Sequence, residues 1–373
     1  MKKIALLLMF CLLIFNLCVN CVYADVNTCA KAAVVMDVKT GRILYSKNSE
    51  QKLPMASTTK IMTVLIAIET GKLNEMVTIS KKAANVEGSS IYLKEGEKIT
   101  VEELLFAIML RSGNDAATAV AEHLGGSVEG FAQMMNLKAK EIGAKNTSFA
   151  NPHGLDNPEH YTTAYDLALI TSYALKNPKF AEIVSTKRKT ISGPPNVEWK
   201  RSMMNKNKML WQFEGGDGVK TGFTNKAGRC LVASATRSNW KLCSVVLNCV
   251  PMWEESSALL DYCFNNYSQQ KIVDSGELYQ YLKVIKGDKD IVGLKPTKDF
   301  YLPVKTDELD KVILIQQLKF NNTAPILKGT KAGEIKVYMK DEFVGTVDLE
   351  YTESIKSQNP LYYVRKIFRS ILD

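Results

Sequence analysis

The strongest constraint on the fold is a strand pair that stands alone near the start of the chain. Ala33-Val-Val-Met36, a turn from Asp37 to Gly41, and Arg42-Ile-Leu-Tyr45 read as a hairpin, and strand-like text resumes only after residue 217. An isolated two-stranded hairpin is marginal in water, so this one must find its partners far along the chain. Helical periodicities fill the interval: Ile61, Val64, Leu65 and Ile68; Leu104, Leu105, Ile108 and Met109; Phe131, Met134, Met135 and Leu137. Thr163-x-x-Asp166 reads as a helix cap before Leu167-Ala-Leu-Ile170. Then come Gly218-Val-Lys-Thr-Gly-Phe223, Arg229-Cys-Leu-Val-Ala-Ser234 and Lys241-Leu-Cys-Ser-Val-Val-Leu247, closed by a helical pattern at about residues 254–264. This order predicts an α+β layer in which the first strands join the later sheet and a helical block is inserted between them.

The ends of the chain read differently. Lys2 and Lys3 precede an apolar run from Ile4 to Phe15, and Val22-Tyr-Ala24 suits a signal peptidase, which predicts a secretory signal over residues 1–24. Three of the eight cysteines fall in that signal, leaving Cys29, Cys230, Cys243, Cys249 and Cys263, too odd and sparse a set for a disulfide framework. Cys243 and Cys249 on one extended strand would be about 20 Å apart, beyond pairing distance, and the five read as free buried thiols. From residue 276 to 353 the pattern is nearly all strand, a separate β domain after a body over residues 25–275. After a polar linker at 354–359 and Pro360, residues Leu361, Val364, Ile367, Phe368, Ile371 and Leu372 share an arc of roughly 140° opposite Arg365, Lys366 and Arg369. At about 20 Å this helix is too short to span a bilayer, and residues 360–373 are read as an interfacial anchor on anionic lipid.

Three short motifs carry chemistry. Ser57-x-x-Lys60 opens a helical pattern, and a three-residue spacing puts the hydroxyl and the amine on one face. A lysine there takes the hydroxyl proton if burial or a neighbouring cation lowers its pKa. Ser112-Gly-Asn114 follows a buried-looking helix and offers a hydroxyl and an amide in a short turn. Lys220-Thr221-Gly222 lies on a strand, where a cation and a hydroxyl can hold a carboxylate while a position without a side chain lets an extended peptide approach. Each also has a plainer reading as a cap, a turn or a solvated face, for Ser-x-x-Lys recurs at Ser49, Ser238 and Ser268, and Lys39-Thr-Gly41 repeats the third motif in a hairpin turn. The excess of 48 basic over 39 acidic residues favours anionic partners without bearing on fold. Three histidines disfavour a histidine-rich metal site, and a Ser-His-Asp arrangement from His123, His153 or His160 is a minor alternative.

In this order and context the three motifs resemble the active-site serine penicillin-recognising enzymes. The text around them, Pro-Met-Ala-Ser-Thr-Thr-Lys-Ile-Met-Thr from residue 54, Ser-Gly-Asn-Asp-Ala-Ala from 112, Asn-Pro-His-Gly-Leu-Asp from 151 and Val-Lys-Thr-Gly-Phe-Thr from 219, resembles the low-molecular-weight penicillin-binding proteins that are D-alanyl-D-alanine carboxypeptidases. The likeness runs over about residues 30–353. It implies a β-lactamase/transpeptidase-like domain with an antiparallel sheet, flanking helices and a helical subdomain, then a small all-β domain and a terminal amphipathic helix. It implies Ser57 as nucleophile, Lys60 as base, Ser112 as proton relay, Asn114 as ligand of the substrate amide, Lys220 and Thr221 as carboxylate ligands, Gly222 as the point of close approach, and the N–H groups of Ser57 and Phe223 as the oxyanion hole. The implied partners are peptidoglycan stem peptides and β-lactams, outside the cytoplasmic membrane, with no cofactor and no nucleic acid. The competing functions are a β-lactamase, for which no Glu-x-x-Leu-Asn loop is present and Asp166 is the nearest carboxylate, and a penicillin-binding sensor or scaffold without useful turnover.

Overall fold

The computed structural model describes residues 26–194, 200–319 and 322–358. The signal predicted at 1–24 and the helix predicted at 360–373 lie outside the described residues. The first strands, β1 (Ala32–Asp37) and β2 (Ile43–Lys47), turn through Asp37, whose carboxylate accepts from the Thr40 N–H and hydroxyl and from Trp240 Nε1. The later strands are β3 (Gly216–Thr224), β4 (Gly228–Arg237) and β5 (Trp240–Leu247), and the antiparallel sheet runs β2-β1-β5-β4-β3. The hairpin therefore finds its partner in β5, with Val34 opposite Val245, as its isolation demands.

Both faces of this sheet are covered. On β1 the side chains of Ala32, Val34 and Met36 enter one apolar core, and those of Ala33 and Val35 enter another. Period-two alternation makes every residue of the strand buried, which is why it reads as a continuous apolar run. The first core lies against the helical block: α1 (Lys60–Glu69), α2 (Val101–Arg111), α3 (Asn114–Gly125), α4 (Val128–Ile142), α5 (Ala164–Leu175) and α6 (Pro178–Ser185). Nine of the ten residues of α1 are buried, as befits a helix enclosed on all sides. The second core lies under α7 (Met252–Asn266). Helix α3 has no counterpart in the periodicity of the sequence, because its buried face is built from Ala116, Ala117, Ala119 and Ala121, which lack the bulk that marks a stripe. Thr163 caps α5 by accepting from Asp166 N–H (3.0 Å), but the Asp166 carboxylate turns to Asn146 N–H (2.6 Å) and Thr147 Oγ1 (2.8 Å).

The β unit is entered at Ser268, directly after α7, before the residue 276 at which the strand pattern begins in the sequence. Ser268–Val273 starts with four polar residues, so it shows no alternation, yet it pairs with Phe300–Val304. A five-stranded antiparallel sheet follows, in the order Gln280–Lys283, Ile291–Pro296, Glu342–Tyr351, Lys331–Met339, Val312–Leu318, over a core that includes Val292, Leu294, Ile335, Val337, Val347 and Leu349. No helix among the described residues is long and apolar enough to cross a membrane.

Arg42, at the start of β2, ties the two units together. Its side chain is 7% exposed, donates to Pro303 O and to Glu308 Oε2 (2.8 Å), and packs over the Tyr267 ring (5.6 Å). Removing one partner of a largely buried pair leaves the other uncompensated, at a cost of about 3 kcal/mol. Arg42→Ala is therefore predicted to lower the thermal midpoint and to open the chain to protease near residues 267–268; an unchanged midpoint and digest would show that the units are held together otherwise.

Candidate active site

Ser57 lies in a 3-10 turn, Ala56–Thr59, that runs into α1 at Lys60. Side chains three apart eclipse in such a turn, which sets the Lys60 amine over the Ser57 hydroxyl. The two threonines between them fix the turn: Thr58 Oγ1 donates to Met55 O (2.6 Å) and Thr59 Oγ1 to Ala56 O (2.8 Å). Lys60 is fully buried, and its Nζ has three oxygen neighbours, Ser57 Oγ (3.0 Å), Asn114 Oδ1 (2.7 Å) and His153 O (2.5 Å). An amide oxygen and a peptide carbonyl can only accept, whereas a hydroxyl can also donate. A neutral Lys60 amine thus has both its protons committed to Asn114 and His153 and its lone pair directed at the Ser57 O–H. Burial, reinforced by the Lys220 ammonium and opposed by Asp115, holds this amine well below the ordinary lysine range.

Ser112 and Asn114 occupy the turn between α2 and α3. Ser112 is the C-cap of α2 in the left-handed region (φ 64°), a conformation that costs a residue with a side chain about 1 kcal/mol. Asn114 opens α3 and is clamped by a preceding loop, its N–H donating to Ser89 O (2.6 Å) and its Nδ2 to Glu87 O (2.6 Å). One Nδ2 proton serves Glu87; the amide carries a second. The buried Asp115 carboxylate holds that loop, accepting from Ile91 N–H (3.0 Å), Leu93 N–H (3.1 Å) and Ser90 Oγ (2.6 Å).

The third motif lies on β3, an edge strand whose outer backbone has no partner strand among the described residues. Gly222 runs against the turn that bears the serine: a Cβ on it would stand 3.0 Å from Met55 O and 3.1 Å from Ser57 N. The next residue, Phe223, is exposed. Lys220 is 2% exposed, and its Nζ donates to Thr221 O (2.8 Å). Burial, with the Lys206 charge added, holds Lys220 to about 7. The hydrogen-bond partners of Lys60 and Lys220 among the described residues are all neutral oxygens, so two buried amines share one site with no described carboxylate paired to either.

Ser57 and Ser112 face Thr221, Gly222 and Phe223 across a cleft of about 380 Å³, inside the range of small-ligand sites. Lys60, Asn114 and Lys220 lie behind its wall. Sequence reasoning did not find the rest of the lining: Ser89, Lys206, Lys208, Arg229, Met252 and Trp253. Three of these are cations and no carboxylate is among the described lining residues, an arrangement suited to an anionic ligand. A larger hollow of about 690 Å³, bounded by Asp37, Trp240 and Tyr301, shares no lining residue with it and contains Lys39 of the repeated motif. Among the described residues no cluster of three or more His, Cys, Asp or Glu could hold a metal ion.

Two histidines adjoin the site without presenting an imidazole to Ser57. His153 supplies its carbonyl to Lys60, and its Nδ1 accepts from Leu155 N–H (3.2 Å). Gly154 follows at φ +89°, where a Cβ would fall 1.9 Å from Ala56 O, so the loop presses directly on the serine turn. His160 Nδ1 accepts from Ala150 N–H (3.0 Å), which places its proton on Nε2, 2.7 Å from Thr59 Oγ1. Burial lowers His153 to about 3 and His160 to about 4, the Lys60 charge adding to both. His123 pairs with Glu75 elsewhere. The Ser-His-Asp alternative has no support here.

A family model described as D-alanyl-D-alanine carboxypeptidase matches residues 20–250, and one described as penicillin-binding protein 5, C-terminal domain, matches residues 267–357. D-alanyl-D-alanine carboxypeptidase DacF of Bacillus subtilis is 35% identical over 346 residues, covering 90% of this chain and 88% of that protein. DacA of Haemophilus influenzae is 33% identical over 342 residues, 87% of this chain and 85% of that one. Among solved structures, penicillin binding protein 5 from Haemophilus influenzae superposes with a TM-score of 0.74 at 32% identity, over 90% of this chain and 99% of that one. PBP3 from Streptococcus pneumoniae does so with a TM-score of 0.79 at 28% identity, over 89% and 100%. A transpeptidase/β-lactamase-like body joined to a penicillin-binding-protein β domain, with Ser57 and Lys60 at the cleft between sheet and helices, places the chain in the D-alanyl-D-alanine carboxypeptidase family.

Proposed function

We propose that the chain is a serine-type D-Ala-D-Ala carboxypeptidase that removes the terminal D-alanine from peptidoglycan stem pentapeptides, limiting their cross-linking. The observation that carries this reading is the Lys60 amine 3.0 Å from Ser57 Oγ, its other two hydrogen-bond positions taken by oxygens that can only accept. Ser57 Oγ attacks the carbonyl carbon between the two D-alanines while its proton passes to Lys60. The oxyanion takes the N–H groups of Ser57 and Phe223, which the close run of Gly222 past Ser57 supports. As the C–N bond breaks, Ser112 relays a proton to the leaving amine, and water then hydrolyses the ester. The substrate's terminal carboxylate is held by Lys220 and Thr221, its amide by the second proton of Asn114 Nδ2, and its extended chain by the open edge of β3. β-Lactams carry the same carboxylate and a strained amide, so they acylate Ser57. Asp166, with its carboxylate committed to Asn146 and Thr147, is not a candidate for activating a deacylating water.

Around this chemistry, residues 1–24 act as an export signal, residues 25–267 hold the enzyme, the β domain raises it from the surface, and residues 360–373 rest on anionic lipid at the outer face of the membrane.

Three outcomes test the proposal. Wild type releases D-alanine from a stem pentapeptide, and Ser57→Ala reduces the rate on the order of 10⁶-fold; no release by folded wild type would sink the reading, and rapid penicillin hydrolysis would favour a lactamase. With a carboxylate-bearing substrate, kcat/KM rises as Lys60 loses its proton and falls above about 7 as Lys220 loses the charge that holds the carboxylate. A substrate amidated at that carboxylate should lack the falling limb, and its persistence would remove Lys220 from the role of anchor. Finally, deleting residues 360–373 should move the protein from the membrane to the soluble fraction, whereas unchanged partitioning would place attachment elsewhere.

A further inference from the structure

Two sulfur atoms 220 residues apart in sequence meet at the end of β5. Cys29 Sγ stands 3.7 Å from Cys249 Sγ, the contact of two unbonded thiols, against about 2.0 Å in a disulfide. Cys29 is exposed and Cys249 is buried, so the expectation of five buried free thiols fails at Cys29. The juxtaposition follows from sheet pairing. Lys31 N–H donates to Leu247 O (3.1 Å) as β1 joins β5, Cys249 N–H donates to Arg229 O (2.8 Å), and Thr28 O accepts from Lys47 Nζ. The other described cysteines have other surroundings: Cys243 belongs to the core against the helical block, Cys263 to the core under α7, and Cys230 Sγ lies against the carbonyls of Ala227 (3.8 Å) and Gly228 (3.9 Å).

We infer that Cys29 and Cys249 are a redox-closable pair, converted by a low-molecular-weight disulfide into a protein disulfide that fastens the segment ahead of β1 to the end of β5. The exposed Cys29 reacts first. Its thiolate attacks one sulfur of the small disulfide and expels one small thiolate, leaving a mixed disulfide. The Cys249 thiolate then attacks Cys29 Sγ and expels the second. One protein S–S bond forms, the small S–S bond breaks, and the protons lost by Cys29 and Cys249 end on the two small thiols released. Burial pushes the Cys249 thiol up, which makes the closing attack the slow step. The ring so formed encloses residues 29–249, nearly the whole helical block and sheet, so it strongly restricts the unfolded chain.

The test needs neither substrate nor membrane. Native protein is incubated with glutathione disulfide or with dithiothreitol, alkylated, and digested without reduction. The oxidised sample should yield a peptide pair joined through Cys29 and Cys249, two hydrogens lighter than its separate parts, and Cys29→Ser should yield none. Oxidised wild type should melt about 5 °C or more above the reduced form, with no such difference in Cys29→Ser, and β-lactam acylation of Ser57 should be the same in both forms. Separate alkylation of both cysteines after oxidation, or a link from Cys249 to Cys230, would overturn the pairing. A joined pair with no change in melting would overturn its fastening role.

Discussion

An amine enclosed by neutral oxygens, with no carboxylate paired to it, is the constraint around which this structure is organised. A buried ammonium costs several kcal/mol unless it is neutralised or fully hydrogen-bonded, and Lys60 is met by three acceptors from three separate parts of the chain. The serine turn supplies one, the first residue of α3 the second, and the 151–156 loop the third. Each has its own support: threonine hydroxyls for the turn, Asp115 for the loop that clamps Asn114, and Asn151 for the third, its Oδ1 accepting from Gly154 N–H (2.7 Å). The left-handed Ser112 and the glycine pressed on Ala56 O are local departures that this convergence demands.

What could be read in advance follows a physical division. Side-chain motifs with short spacings were legible, because Ser57 and Lys60 meet through one turn of helix, and strands buried on both faces were legible as apolar runs. The backbone carbonyl that meets Lys60 was not. His153 enters the site by its carbonyl, which any residue carries, and only Asn151 and Gly154 beside it mark a shaped loop. Lys206, Lys208, Arg229 and Trp253 meet at the cleft through tertiary packing of distant segments, so no spacing announces them. Alanine-built α3 and the polar strand at Ser268 escaped for want of contrast between faces. The meeting of Cys29 with Cys249 is a product of sheet register, which one strand's sequence cannot disclose.

The charges of the cleft point one way. Burial lowers the affinity of both Lys60 and Lys220 for protons, Lys220 lowers that of Lys60 further, Lys206 adds to both, and no carboxylate among the described lining residues offsets them. Such a cluster opposes folding, and a bound anion would relieve it, so part of the drive to bind one would come from the charges already crowded around the cleft. The histidines take no share in that balance, since both neighbours of the site are neutral by burial and act through hydrogen bonds that brace the serine turn.

The place of β1 also governs when the cleft can exist. Its partner on the inner side is β5, so the sheet cannot close until residues 240–247 are available, however early the hairpin forms. The serine turn rests against β3, itself part of that late sheet. A chain still emerging from the ribosome therefore carries Ser57 and Lys60 without the wall that faces them. Competence arrives in one step, after the last strand, and an incomplete chain has no site to misuse.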